Sequence, residues 1–529
     1  MKQPHPKRRR VFIVLALILP LALLVLVELT LRMCHYGYNP SLFVEDASGK
    51  YYLMNQMASR PYFTVKENST KGNIDFFRKE KADSTLRIFV LGASTNVGFP
   101  YMHNGSFPRM LAYRIQMENP ERRVEMVNLS LTAISSFVVA DFAEQLARYK
   151  PDAVLIYTGH NEYYGAMGVA STASTSGVWL NRLIVGLSRF KLGQWAVDFA
   201  ARIKGVDDYV LDPKLNLMER MVAEKVIPKD GKDFQIGISR YDSNLSRAVR
   251  SLTEAGVPVY LATVTSNLRS LKPFNSAGEE WKQANKLLAQ GDTVAALAAF
   301  VNAKDTDGLR FRAPEAINEH VREIARTYKG VTLVDVDSAF RAASPGGIPG
   351  EELFLEHVHP NLTGHAIIAD RFYHAMADNG QIPRRSTVFD DYPLTAMDEH
   401  YGQIENWLLR ENWPFNEPVP DYPPGYVRTF EEQVAGALAV NQIAWHGAMQ
   451  MLLERYIKDG NPEGALKVAE GLWLDNPYNG EFALQAAQAA SAVGDVSKTL
   501  FYKNRAISLG VPEPRTYRLI SVAKENEED

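Results

Sequence analysis

Apolar residues follow three rhythms along this chain. The first is an unbroken run: residues 11–27 carry no charge, and Leu29, Leu31 and Met33 extend the run around Glu28 and Thr30. That length predicts a helix able to cross a bilayer. The second is a series of short apolar segments, 86–91, 123–129, 153–157, 257–264 and 331–336, each short enough for a buried strand. Between them come stretches of helical spacing, among them 241–255, 318–328 and 362–377. Strands alternating with helices predict an α/β fold, a three-layer α/β/α sandwich around a parallel sheet. The third rhythm is a repeat. Gly460-Asn461 is followed by Ala465-Leu466, and Gly494-Asp495, 34 residues on, by Thr499-Leu500, with Pro477 and Pro512 closing the segments. Gly291-Asp292 with Ala296-Leu297 carries the same local pattern.

These rhythms divide the chain into a basic tail (1–10), an anchor (11–33), a membrane-proximal stretch with Tyr51, Tyr52, Tyr62 and Phe63 (34–85), an α/β domain (86–390), a linker (391–430) and a helical region (431–529). Two insertions interrupt the α/β domain, at 165–234 and 276–308. The first opens on a Ser/Thr/Gly-rich stretch, 170–177, and continues through Trp179, Leu183 and Val185 at helical spacing. A lid, a membrane-facing surface and simple packing all stand open for it.

The charge around the first run sets an expected orientation. Lys7, Arg8, Arg9 and Arg10 precede it, so this end is expected to stay cytoplasmic and everything after Arg32 to lie outside the inner membrane, in the periplasm if there is an outer one. A cleaved signal peptide is the alternative, but no small-residue cleavage site follows the run. Composition adds little. The 529 residues, 46% hydrophobic and 22% charged, suffice for more than one domain, and a formal net charge of -3 gives no reason to expect nucleic acid. Cys34 is the single cysteine, so no intrachain disulfide forms.

Candidate chemistry sits where the strands end. Gly92-Ala93-Ser94-Thr95 follows one strand, Gly159-His160-Asn161-Glu162 follows another, and Glu356-His357-Val358-His359-Pro360 precedes the last helix. Turns at the carboxyl ends of parallel strands open on one face, where ligands bind. A serine needs a base to take its proton, and an imidazole titrates in the useful range. An amide donor then stabilises the oxyanion of an acyl-transfer step. Taken singly, Ser94 also reads as a helix N-cap, Asn161 as a turn residue and His359 as a loop end. Their order and placement favour the joint reading.

The chain here resembles the SGNH (GDSL-like) hydrolase superfamily. The resemblance implies Ser94 as nucleophile, His359 as base, and an oxyanion hole from Asn161 of the Gly159-x-Asn161 turn with the Ser94 and Ala133 backbone N–H groups. The family's aspartates are replaced by Ala93 and Glu356, and its second-turn glycine by Ala133. Glu356 keeps a carboxylate to orient His359. Esters are the implied substrates, with an acyl group on an envelope glycan or a lipid expected from location. An O-acyltransferase of a polysaccharide system and a non-catalytic glycan-binding assembly protein are the alternatives.

Further residues are candidates for substrate contact. Tyr163, beside Tyr164, follows Asn161 toward a pocket or the core, and Arg310 and Arg312 flank Phe311 as a clamp for a carboxylate or phosphate, unless Asp305 or Asp307 takes them. His357, His359 and His365, with His160 and Glu162, permit a metal reading, but no His-Glu-x-x-His helix or cysteine cluster supports it. No metal and no cofactor are expected. The repeat resembles tetratricopeptide helical pairs, implying a protein partner; an ordinary helical tail is the alternative.

Overall fold

The computed structural model describes residues 6–63, 65–172, 177–203, 216–222, 226–385, 388–423 and 425–512. Parts of the basic tail, of the first insertion with its Ser/Thr-rich start, and of the helical region beyond 512 lie outside the described residues. The long apolar run is one helix, α1 (Pro6–Met33), whose Phe12–Met33 stretch has a mean hydropathy of 3.0 and is not buried by the protein. It is long and apolar enough to cross a membrane.

Three short strands follow, β1 (Phe43–Glu45), β2 (Tyr51–Met54) and β3 (Phe76–Arg78), paired antiparallel. They hold Phe43 and Phe77 against Phe89, with ring centroids 5.9 and 5.4 Å apart, so the core extends upstream of residue 86.

Five strands then build a wholly parallel sheet in the order β5-β4-β6-β7-β8: β4 (Thr85–Gly92), β5 (Arg123–Asn128), β6 (Ala153–Tyr157), β7 (Val259–Ala262) and β8 (Val331–Val334). The central strands β4, β6 and β7 are buried at every position, which is why they read as continuous apolar runs. Arg87 in β4 is the exception that the core absorbs. Its Nε donates to Glu125 of β5 at 2.7 Å, and its other nitrogens donate to the carbonyls of Tyr149 and Arg78.

After β4 come the short helices α2 (Ser94–Val97) and α3 (Met102–Gly105), then α4 (Phe107–Glu118) and, after β5, α5 (Ser136–Ala143). The first insertion supplies α6 (Val178–Leu187), α7 (Lys191–Ile203) and α8 (Leu217–Met221), and the chain returns to the sheet through α9 (Lys232–Glu254). The second insertion is a helical hairpin, α10 (Gly278–Ala289) and α11 (Thr293–Thr306), with its own small core around Ala284, Ala296 and Phe300. The last α/β elements are α12 (Glu315–Thr327), α13 (Val336–Ala343) and α14 (Leu362–Asp378). Helices α5, α9 and α12 cover one face of the sheet; α4 and α14 cover the other. The fold is therefore the α/β three-layer sandwich expected.

Six more helices follow among the described residues: α15 (Ala396–Glu411), α16 (Phe430–Ala439), α17 (Trp445–Asp459), α18 (Pro462–Asp475), α19 (Gly480–Val493) and α20 (Val496–Ser508). From α17 onward each packs on the next. Gly460 and Gly494 end α17 and α19 in the left-handed conformation, and Asn461 and Asp495 cap the helices that follow. This helical region is fastened to the α/β core: Arg109 donates to the carbonyl of Leu474 and to Asp475, and Arg505 to the carbonyls of Pro120 and Arg122.

Candidate active site

Strand β4 ends at Gly92, where a side chain would meet the Tyr157 carbonyl and the Asn96 amide, each at 2.2 Å. Only glycine allows the chain to turn so tightly against β6. Ser94 is the first residue of α2, with Ala93 as N-cap and no side-chain cap. The hydroxyl that would have served a helix end faces His359 instead: Ser94 Oγ lies 2.7 Å from His359 Nε2.

His359 comes from the loop before α14, and Glu356 organises that loop. Glu356 Oε2 accepts from the His357 backbone N–H at 2.5 Å, Oε1 accepts from the His359 N–H at 2.8 Å, and the same Oε1 pairs with His359 Nδ1. The extra methylene of glutamate thus still reaches the imidazole. With Nδ1 on a carboxylate, Nε2 is left to accept from the serine hydroxyl. Burial pushes the His359 imidazole below its ordinary range, to about 3, so the ring is neutral at physiological pH.

Asn161 and Ala133 line the same cavity as Ser94 and His359. Ser94, Ala133, Asn161, Tyr164, Leu217, Met218, Met221, Phe311, His357, His359 and Leu409 all line one cavity of about 260 Å³, so the three sequence motifs converge on a single, largely apolar pocket. Gly159 begins the Asn161 turn at φ +157°, where a Cβ would approach Ile317 to 2.8 Å. Ala133 has φ +57°, the left-handed region that explains the glycine usual at that turn.

Other expected contacts fall elsewhere. Tyr163 is buried away from the pocket, stacked on Phe234 and donating to its carbonyl; its neighbour Tyr164 lines the pocket instead. The clamp reading of Arg310 and Arg312 meets a correction. Both are buried, Arg310 donating to the carbonyls of Ile227 and Asp305, Arg312 to those of Asn267 and Leu271 and to Asp307 at 3.4 Å. Their guanidinium groups close the loops behind Phe311.

His357 was not expected in the pocket wall. Its ring sits among Phe274, Phe311 and Phe415, at 5.8, 5.9 and 5.5 Å between centroids, and its Nδ1 lies against Glu356 Oε2. The ligand atoms of Glu356, His357 and His359 lie within 4.8 Å of one another. Within this cluster the His359 ring joins Glu356 to Ser94, and the Glu356 oxygens also accept from the loop N–H groups, while His357 Nδ1 makes no hydrogen bond.

Solved structures similar to the chain include three of note. They are the psychrotrophic esterase EstA from Pseudoalteromonas sp. (12% identity, covering 56% of this chain and 98% of that one, TM-score 0.27); salicylyl-acyltransferase SsfX3 from a tetracycline biosynthetic pathway (15%, 59% and 59%, TM-score 0.30); and a putative acylhydrolase from Bacteroides fragilis (11%, 60% and 94%, TM-score 0.30). No curated protein matches the chain. A family model matches residues 90–367, that of the GDSL-like Lipase/Acylhydrolase family.

Proposed function

The chain belongs to the GDSL-like lipase/acylhydrolase family, and from that premise we propose that it cleaves an ester with Ser94 as nucleophile, His359 as base and Glu356 as the group that orients the imidazole. The observation that carries this reading is the continuous hydrogen-bonded line from Glu356 Oε1 through the His359 ring to Ser94 Oγ. In the first step the serine oxygen adds to the acyl carbonyl as its proton passes to Nε2. The Asn161 amide and the Ser94 and Ala133 N–H groups receive the charge on the carbonyl oxygen. Nε2 then gives its proton to the departing alkoxide. Water repeats the sequence on the acyl-enzyme and frees the acid.

The apolar wall of Leu217, Met218, Met221, Phe311 and Leu409 suits an uncharged acyl group. We assign α1 as an uncleaved anchor with its basic end cytoplasmic, so the acyl group is carried by an envelope glycan or a lipid on the outer side. An O-acyltransferase would use the same acyl-enzyme with a sugar hydroxyl replacing water. The α17–α20 hairpins, spaced like tetratricopeptide pairs, are the surface proposed for a protein partner.

Fluorophosphonate labelling of wild type and Ser94→Ala tests the assignment. Labelling of the wild type that vanishes in Ser94→Ala is expected; equal labelling of both would move the nucleophile elsewhere.

A further inference from the structure

Helix α6 buries Asn181 and Val185, with Ser188 just beyond its end, but leaves its bulkiest apolar side chains outside: Trp179, Leu183 and Leu187 are exposed by 70, 47 and 42%, and Phe190 in the turn that follows by 56%. Trp179, Leu183 and Leu187 fall at helical spacing and form one stripe, which Phe190 extends from the turn before α7. Helix α7 continues it with Trp195 and Phe199, both exposed and stacked on each other at 5.4 Å. An apolar face of this length is not left to water without a function.

The place of the stripe in the fold says what covers it. Helix α7 is tied to the end of α1: Glu28 accepts from the backbone N–H groups of Lys191 and Leu192 at 3.1 and 2.7 Å, capping α7. The chain leaving α1 is held to the same helix, since Tyr36 Oη donates to Asp198 at 2.6 Å and Lys191 Nζ to the Tyr38 carbonyl at 2.7 Å. Glu28 lies five residues before Met33, the end of α1. At about 1.5 Å rise per residue, α7 therefore starts some 7.5 Å below the helix end. An amphipathic helix in a membrane interface sinks roughly 5–10 Å into the boundary of headgroups and acyl chains. Residues 178–203 also carry Arg182, Arg189, Lys191 and Arg202 against the single acid Asp198, a balance suited to anionic headgroups.

We propose that the α6–α7 hairpin is a membrane-docking surface, lying in the outer interface beside α1 with Trp179, Leu183, Leu187, Phe190, Trp195 and Phe199 in the lipid. It rests on the reading of α1 as a membrane span. The hairpin then does more than tether: it fixes the orientation of the α/β domain on the bilayer, which a single helix cannot do.

The test uses the full chain with Cys34→Ser, in nanodiscs of phosphatidylethanolamine and phosphatidylglycerol. A nitroxide is placed singly by Leu183→Cys, Phe199→Cys, Leu19→Cys in α1 and Val294→Cys on the remote helix α11, and its collisions with oxygen and with a water-soluble nickel complex are compared. The proposal expects the labels at 183 and 199 to favour oxygen, as at 19, while the label at 294 favours nickel. Nickel-favoured labels at 183 and 199 with an oxygen-favoured label at 19 would overturn the docking surface and leave the span. Labels at 183 and 199 shielded from both agents would mean that protein covers the stripe, which also overturns the proposal. A nickel-favoured label at 19 together with those at 183 and 199 would remove both the span and the surface.

Discussion

Replacing Glu356 by glutamine keeps the size of the side chain and tests whether its charge and two acceptor oxygens matter. The carboxylate is almost fully buried and serves the His357 N–H through Oε2 and the His359 N–H and Nδ1 through Oε1. Glutamine offers one acceptor oxygen, so its amide nitrogen must face one of these donor groups. If it faces His359, the imidazole has to turn acceptor at Nδ1 and carry its proton on Nε2, where it can no longer take one from Ser94. If it faces His357, a buried backbone N–H is left without an acceptor. Each lost charge-assisted bond or orphaned donor is worth about 1–3 kcal/mol, so Glu356→Gln should lower stability by roughly 2–4 kcal/mol. The tautomer error should lower kcat by some 10²–10⁴-fold. Glu356→Asp, which keeps the charge but withdraws a methylene, should lose less. The assays are kcat and KM on a short-chain aryl ester and urea unfolding of each variant. Turnover in Glu356→Gln equal to that of wild type, in a protein of normal stability, would refute the orienting role.

Three further outcomes follow from the same geometry. Because burial pushes His359 down, the acid limb of kcat/KM against pH should lie below the imidazole's ordinary 6.5; a limb at or above that value would mean that the Glu356 carboxylate on Nδ1 outweighs burial. Glu162 is buried, accepts from the Ser136 N–H, and is pushed up to about 7 from an ordinary 4.5, so the native state keeps a proton that the unfolded chain has lost and stability falls as pH rises between those values. Glu162→Gln should therefore gain on wild type in unfolding free energy, read from urea titrations, between pH 5 and pH 8, by at most about 3 kcal/mol, and parallel profiles would count against the buried acid. Arg312→Leu should cost up to about 3 kcal/mol of stability, since it removes the guanidinium from the buried Asp307 carboxylate and leaves it the backbone N–H groups of Phe274, Asn275 and Leu309, with the ratio of KM values for anionic and neutral esters unchanged; a selective rise for the anionic ester would restore the clamp.

The buried strands were legible in the sequence because a parallel sheet covered on both faces favours near-continuous apolar runs; 153–157 is such a run, and 86–91 is one broken only by Arg87. The Ser94, Asn161 and His359 motifs were legible because each is local, a strand end or a loop whose chemistry lies within a few residues. The three strands between Phe43 and Arg78 were not, since three or four residues carry too little periodicity to mark a strand. The pocket wall was hidden for a different reason: Leu217, Met218, Met221 and Leu409 arrive from helices far along the chain. Tyr163 and Tyr164 are adjacent, and only the turn after Asn161 decides which of them faces the pocket. The two arginines beside Phe311 were ambiguous until their carbonyl partners, brought by other loops, were in place.

The most direct measurement is to trap the covalent intermediate: the full chain is mixed with a short-chain aryl ester, quenched in acid during the first turnovers, and digested for peptide mass analysis. The account predicts an acyl adduct on Ser94, absent in Ser94→Ala, which should also lose turnover. Turnover that persists in Ser94→Ala, or an adduct on another residue, would contradict it.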